Sequence, residues 1–263
     1  MIEWSVSPIA FSVGPVAIRW YSMGFAASFM IGNAIMEKIY RAEKKSEDGL
    51  FALLVHMILG TVIGARLGHV LFYDPGYYLS HLSEIPKVWQ GGLASHGAAI
   101  AIPFSVWLYA RKKPAEPFLW LLDRLAIITA LAGFFIRMGN FFNSEILGMV
   151  STVPWAVTFT RIDNLPRHPT QIYEALAYLA TFIYLYRSYW QQKEKLPHGQ
   201  HFGIFLIMIF GSRFILEFFK ERQAAFEVGL PLDMGQILSV PLIALGAWFI
   251  WRARRNRPTA KYR

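Results

Sequence analysis

Residues 133–148 read GFFIRMGNFFNSEILG, and this stretch decides where the chain can hold a polar site. An apolar run leads into Arg137, and two amides and an acid follow it at Asn140, Asn143 and Glu145. On a continuous α-helix these four side chains would spread over roughly 200° of the surface, at about 100° per residue. Hydrocarbon offers no hydrogen-bond partner to a charge or an amide, so this surface cannot face lipid. The stretch therefore predicts a helix that leaves the membrane beside a polar site enclosed by other helices.

The composition of the whole chain favours a membrane setting. Of 263 residues, 55% are hydrophobic and only 16% are charged, whereas a soluble domain carries about 25% charged residues. This deficit indicates an integral membrane protein. The net charge is +9. Because the basic residues lie between apolar runs, they indicate anionic lipid headgroups and a membrane topology rather than binding to nucleic acid.

The chain contains no cysteine. This excludes a disulfide, a thiol nucleophile or a cysteine-based metal site supplied by this chain. Any thiol that reacts here must therefore belong to a substrate. The sequence shows no metal-ligand spacing, and we expect neither a metal nor another cofactor.

Seven apolar stretches are each near the ~20 residues that a bilayer core requires. They cover 16–37, 50–72, 93–110, 117–138, 171–190, 202–220 and 234–251. Lys and Arg are concentrated in the connections after the first, third, fifth and seventh stretches, which places those connections in the cytoplasm. The sequence thus predicts an all-α integral membrane protein with about seven transmembrane helices, the N-terminus outside and the C-terminus cytoplasmic.

Two predicted outer connections are long. Residues 73–92 are rich in aromatic side chains suited to a membrane interface. Residues 139–170 predict a small extracytoplasmic cap, in which the alternation of Val153–Thr160 favours short strands. Because no internal repeat or soluble module is visible, we predict one polytopic membrane domain over residues 1–263.

This topology assigns a depth to each polar residue, at 1.5 Å per residue. Three lie near the outer ends of their predicted spans: Tyr21, His96 and Arg137. Arg213 falls near mid-membrane, and Glu217 and Lys220 follow it at i+4 and i+7, which predicts one helical face. Charges at mid-bilayer cost about 2.5–3.5 kcal/mol each. Polar groups of both signs in the outer half therefore predict an outward-opening polar cavity.

The residue types alone leave other roles open. A lone histidine such as His96 is often a packed, hydrogen-bonded side chain rather than a base. Arg213 and Glu217 can simply neutralise each other, and Asn140 and Asn143 can cap a helix end.

Residues 167–174, RHPTQIYE, are typical of a helix start. Thr170 is a candidate N-cap, with Glu174 four residues later, one beyond the spacing of a capping box. We assign this segment a structural role that supports the site.

Five motifs in this order resemble those of the bacterial prolipoprotein diacylglyceryl transferase family. They are Arg19-Trp-Tyr21, Ser95-His96-Gly97, Arg137-Met-Gly-Asn140-Phe-Phe-Asn143-Ser-Glu145 with Gly148, RHPTQIYE at 167–174, and Arg213-Phe-Ile-Leu-Glu217. The resemblance covers essentially the whole chain. It implies a multi-pass protein of the bacterial cytoplasmic (inner) membrane whose partners are phosphatidylglycerol, prolipoprotein signal peptides with a lipobox cysteine, and membrane lipid. The implied reaction moves the diacylglyceryl group of phosphatidylglycerol onto that cysteine thiol, forming a thioether and releasing glycerol 1-phosphate.

The resemblance also implies roles for the matching residues. We assign catalysis to His96, as the base for a thiol of pKa near 8.5, and to Arg213, whose planar charge suits a phosphate ester. The substrate-binding residues are then Tyr21, Arg137, Asn140, Asn143, Glu145, Gly148 and Glu217. The chain departs from the family at Lys220, where arginine is frequent, and at Ile209 and Phe210, where the family has a tyrosine about one turn before the arginine.

Two functions of other classes stay open at this point. One is a membrane transporter for an anionic solute, which inverted repeats and polar groups in both membrane halves would favour, and neither is visible. The other is a non-catalytic lipid-binding or assembly protein.

Overall fold

The computed structural model describes residues 2–221 and 232–256, and this part of the chain is mostly helical. Its α-helices are α1 (Trp20–Ala42), α2 (Leu50–Phe72), α3 (Pro75–Ser80), α4 (Ser95–Arg111), α5 (Phe118–Asn143), α6 (Thr170–Gln192), α7 (Gln200–Leu216) and α8 (Met234–Arg255). Among the described residues, the helical segments 47–72, 118–143, 200–219 and 234–255 are long and apolar enough to cross a membrane. The fold is therefore that of a helical membrane protein. All seven predicted stretches are largely helical, while the number of spans and their direction stay predictions.

The strands are short. They are β1 (Ile2–Trp4), β2 (Ile9–Val13), β3 (Val16–Arg19), β4 (Val157–Phe159) and β5 (Pro166–Arg167). β4 pairs in parallel with β1 and antiparallel with β5, so the alternating segment 153–160 does contain a strand. β2 and β3 form a hairpin whose turn places Gly14 at φ 57°.

This hairpin corrects the predicted start of the first apolar helix. The stretch 16–37 was expected to be helical throughout, but residues 16–19 are β3 and α1 begins at Trp20. The β-branched Val16 and Ile18 favour a strand, and their register opposite Val13 and Phe11 gives that strand its partner.

Contacts divide the chain into two compact units, residues 40–122 and the rest of the described chain. The single domain over 1–263 stays a prediction. In the unit 40–122, α2 and α4 pack closely at small residues, because a Cβ on Gly97 would collide with the carbonyl of Gly64. Such close approach at small residues is how membrane helices associate.

The other unit is built around α5. Of the 18-residue apolar segment of this helix 56% is buried, against 17% for the corresponding segment of α7 and 22% for that of α8. Near the start of α5, the buried carboxylate of Asp123 accepts hydrogen bonds from the backbone N–H groups of Gly199, at 2.6 Å, and Phe202, at 2.9 Å. These donors belong to the open N-terminus of α7, where a carboxylate is favourable. Asp123 therefore fixes the beginning of α5 to the beginning of α7.

Candidate active site

The far end of α5 carries the polar stretch that opened the sequence. α5 ends at Asn143, as expected for a helix that terminates within this stretch. Arg137 Nη1 donates to Asn140 Oδ1 at 3.2 Å. Asn140 Nδ2 and Asn143 Nδ2 each donate to one carboxylate oxygen of Glu145, at 3.1 Å. The side-chain amides of Asn140 and Asn143 therefore bind the Glu145 carboxylate through their N–H groups, instead of capping the helix end.

A chain of ion pairs continues from Arg137. Arg137 Nε lies 2.8 Å from Oε2 of Glu174, and Lys220 Nζ lies 2.9 Å from Oε1 of the same carboxylate. Lys220 Nζ also lies 3.0 Å from Glu217 Oε2. The Glu174 side chain is 0% exposed. Buried charges are tolerated only when they are paired, and here two cations alternate with two acids.

Lys220 reaches this position by leaving the helix, which corrects the predicted helical face of Arg213, Glu217 and Lys220. α7 ends at Leu216, residues 217–219 form a 3₁₀ turn, and Lys220 is extended at φ −91° and ψ 149°. It forms a β-bridge with Gly148, in the turn that follows α5. This pairing draws the chain away from the helix axis and brings the ammonium onto Glu174.

Arg213 differs from the two paired cations of this network, Arg137 and Lys220. Within residues 2–221 and 232–256 its half-buried side chain makes no ion pair and no hydrogen bond. Glu217 pairs with Lys220 instead, so the expected alternative of mutual neutralisation by Arg213 and Glu217 is not what the structure has. Tyr178, whose ring centre lies 5.9 Å from the Arg137 guanidinium carbon, also interacts electrostatically with Arg213. A guanidinium without an ion pair or hydrogen bond among the described residues is suited to an anionic ligand.

The first turn of α6 supports the turn after α5. α6 begins at Thr170, with Pro169 at the N-cap position and no side-chain cap. Thr170 is therefore the first helical residue, and the prediction that it is the N-cap is wrong. Its hydroxyl donates instead to the carbonyl of Ile146, at 3.2 Å. Gln171 Nε2 donates to the carbonyl of Glu145, at 2.5 Å. These contacts agree with the supporting role assigned to this segment.

Two predicted substrate-binding residues take part in close packing. The ring of Tyr21, at the start of α1, lies against Gly139, where a Cβ would come within 2.5 Å of Tyr21 Cδ2. Tyr21 also interacts electrostatically with Arg137 and Glu145. A Cβ at Gly148 would collide with the carbonyl of His168. Both positions are therefore tightly fitted beside the network.

Arg167 fastens the predicted cap, residues 139–170, to the same region. It pairs with Asp163 at 2.6 Å and with Glu221 at 2.9 Å, and it donates to the carbonyl of Gly148 at 3.2 Å. The Arg167 guanidinium holds the pKa of the Asp163 carboxyl below its usual range. Strand β5 is thereby tied to the turn after α5 and to the chain after α7.

In the unit 40–122, His96 lies in the first turn of α4 and is exposed. Its ring stacks on Tyr73, with centroids 5.7 Å apart, and meets the edge of Phe72 at 5.3 Å. Among the described residues its imidazole makes no hydrogen bond. The ring nitrogens therefore have no hydrogen-bond partner within the described chain, and the role of His96 as a base stays a prediction.

Arg66 organises the long loop that precedes His96. Its guanidinium is buried and donates to four backbone carbonyls, at 2.6–3.2 Å. These carbonyls belong to Glu84, Ile85, Gly91 and Gly92. One side chain of α2 therefore bonds both the middle and the end of this loop.

The structure thus links five predicted site residues by polar contacts in one unit: Arg137, Asn140, Asn143, Glu145 and Glu217. Sequence reasoning did not assign Glu174, Gln171 or Tyr178 to the site. One signal pointed to Glu174, since an acid in an apolar helix needs a cation from elsewhere. The roles of all these residues toward a substrate stay predictions.

Fold and site together define a membrane protein of packed helices that carries a charged polar cluster at the end of its central helix. Residues 8–252 match the family model described as prolipoprotein diacylglyceryl transferase, and the chain belongs to this family.

Curated relatives agree over nearly the full length. A phosphatidylglycerol–prolipoprotein diacylglyceryl transferase of Tolumonas auensis is 49% identical over 246 residues, which are 94% of this chain and 95% of the relative. Proteins of the same name from Chloroherpeton thalassium and Porphyromonas gingivalis are 47% and 42% identical, and each match covers 99% of this chain and 97% of the relative. The resemblance inferred from the five motifs is therefore confirmed.

Proposed function

We propose that this protein transfers the diacylglyceryl group of phosphatidylglycerol to the lipobox cysteine of a prolipoprotein. The thiol sulfur attacks the carbon of the diacylglyceryl unit that is bonded to the phosphate ester oxygen. The C–S bond forms as the C–O bond breaks, and the electron pair of that bond leaves with glycerol 1-phosphate. The thiol proton passes to His96, and the product is a thioether.

The observation that carries this proposal is the contrast between the neutralised network and Arg213. Arg137 is held by Glu174 and Asn140, whereas Arg213 has no anionic partner among the described residues. The phosphate needs a cation free to bind it, and the developing charge on the leaving group needs fixed donors. We assign phosphate binding to Arg213, assisted by Arg137.

We assign Glu145 to binding the glycerol hydroxyls of the headgroup. Its side-chain oxygens are fixed by Asn140 and Asn143, and a carboxylate accepts hydrogen bonds from hydroxyls. Tyr21 supplies a hydroxyl donor near the same group. Gly148 and Glu217 support this arrangement by close packing and through Lys220.

The setting we propose is the bacterial cytoplasmic membrane, crossed by seven helices with the N-terminus outside. The clustered charges of α5, α6 and α7 would then lie near the outer leaflet, where secreted precursors expose their lipobox. Phosphatidylglycerol would enter from that leaflet.

Purified protein, phosphatidylglycerol and a lipobox peptide should suffice for thioether formation, read by mass spectrometry of the peptide. We expect His96→Ala, Arg137→Ala and Arg213→Ala to lower the rate by about 100-fold or more. Well-folded wild-type protein that gives no thioether would reject the transferase. Full activity in all three variants would reject their assigned roles.

A further inference from the structure

The turn between Asn143 and Leu147 contains two residues in a conformation that their side chains disfavour. Ser144 has φ 57° and Ile146 has φ 55°, both in the left-handed region. For a β-branched residue such as Ile146 this is a true outlier. Glu145, which Asn140 and Asn143 hold, lies between them. The turn that aims this carboxylate is therefore one that the chain does not adopt unaided.

Side chains of α6 are placed to hold it. Thr170 Oγ1 donates to the carbonyl of Ile146 at 3.2 Å, and Gln171 Nε2 donates to the carbonyl of Glu145 at 2.5 Å. Both side chains are fully buried. An unfavourable backbone conformation persists only when its surroundings over-determine it, and two hydrogen bonds to consecutive carbonyls provide that.

We infer that Thr170 and Gln171 are positioning residues for the transfer reaction, which hold Ile146 in its left-handed conformation and so aim the Glu145 carboxylate. They act through the backbone of the turn and touch no substrate. This inference rests on the proposed function only in that Glu145 serves the reaction.

The first test compares two threonines of the same helix. Thr170→Val removes the hydroxyl that bonds the turn, whereas Thr181→Val removes an equally buried hydroxyl that bonds Ala177 within α6, at 2.8 Å. We expect kcat/KM for phosphatidylglycerol to fall about fivefold to tenfold in Thr170→Val and to stay within about twofold in Thr181→Val. Gln171→Met, which keeps the length and removes the donor, should behave as Thr170→Val does. Equal losses in the two threonine variants would overturn the inference.

The second test uses the backbone itself. Glycine adopts positive φ without steric strain, whereas alanine does not. Adding Ile146→Gly to Thr170→Val should therefore restore activity to within about twofold of the wild type. Adding Ile146→Ala removes nearly the same side chain and should restore nothing. Equal rescue by both would assign the effect to the side chain of Ile146 and overturn the inference. If Thr170→Val does not fold, the same comparison is made on Gln171→Met.

A measurement that does not depend on lipid transfer separates this inference from the proposed function. Amide hydrogen exchange over residues 141–149 should be faster in Thr170→Val than in Thr181→Val, and Ile146→Gly should slow it again. If the wild type transfers no lipid but hydrogen exchange follows this order, the proposed transferase function is rejected, whereas the stabilisation of the turn by Thr170 is supported. If the wild type is active and exchange is the same in both threonine variants, the inference fails.

Discussion

At the scale of single residues, Arg137 and Arg213 differ in what surrounds them. Arg137 is 11% exposed and compensates the fully buried Glu174. Arg213 is half-buried and has no ion pair among the described residues. Replacing Arg137 should therefore lower the stability of the protein more than replacing Arg213, even if both replacements lower the activity to a similar extent.

We expect Arg137→Ala to lower the free energy of unfolding by about 3 kcal/mol, because it leaves a buried carboxylate with one cation instead of two. Arg213→Ala should change it by less than about 0.5 kcal/mol, because no ion pair or hydrogen bond within the described residues is lost. Denaturation in detergent, beside the transfer assay, measures both quantities. Comparable destabilisation by the two variants would contradict this assignment. Arg213→Lys keeps the charge without the bidentate fork and should retain part of the activity.

How far the sequence could predict the site is visible in these residues. Arg137, Asn140, Asn143 and Glu145 lie within nine positions of each other, so a local motif was enough to group them. Lys220 was misplaced, because its position depends on a β-bridge to a turn 72 residues earlier. No local pattern encodes such a pairing, and hydrophobic periodicity alone extends α7 past its real end.

At the scale of helices, α1 packs on α5 through glycines. Close approach at Gly139 sets the position of Tyr21 beside Arg137 and Glu145. The apolar runs predicted where the helices lie. They could not predict the hairpin that delays the start of α1, because its strands and a helix start share the same apolar residues.

We expect Gly139→Ala to displace Tyr21 and to lower activity at least about tenfold, since its Cβ would overlap a ring atom and the neighbouring backbone. Gly211→Ala is the matched control in a membrane helix, because its Cβ would meet nothing within 4 Å. That variant should be as active as the wild type and up to about 1 kcal/mol more stable. The transfer rates and the free energies of unfolding of the two variants test these expectations. An active Gly139→Ala protein would mean that Tyr21 need not be held there.

The loop before α4 offers a second test at this scale. Arg66→Lys replaces a planar guanidinium with five N–H donors by an ammonium group with three. The smaller ammonium group cannot reach all four backbone carbonyls. We expect faster proteolysis within residues 84–92 and a slower transfer reaction. Arg111→Lys, at an arginine that stacks on Trp107 at the end of α4, is the control and should change neither. Unaltered proteolysis in Arg66→Lys would show that the loop is held by other contacts.

At the scale of the whole molecule, the path across the membrane is the main open prediction. Among the described residues, the helices α1, α4 and α6 are not among the four helical segments that are long and apolar enough to cross a membrane, and α4 has only 17 residues. Hydropathy alone therefore leaves their status open, whereas the alternation of Lys and Arg predicts that all three cross.

Because the chain has no cysteine, single-cysteine variants can be labelled without background. In intact cells an impermeant maleimide should label Ser80→Cys and Thr152→Cys, which the topology places outside. Ser46→Cys and Lys112→Cys should react only after the membrane is made permeable. Labelling of Ser46→Cys in intact cells, or protection of Ser80→Cys, would refute seven spans with the N-terminus outside.

The attachment of Asp123 to the start of α7 has a consequence for how the protein is made. A ribosome releases α5 some 60 residues before it releases Gly199 and Phe202, the donors that satisfy this carboxylate. Until then the nascent chain holds an acid that is costly to keep in lipid. We expect chains that stop before α7 to be degraded by membrane proteases, whereas chains that extend through α7 should persist longer.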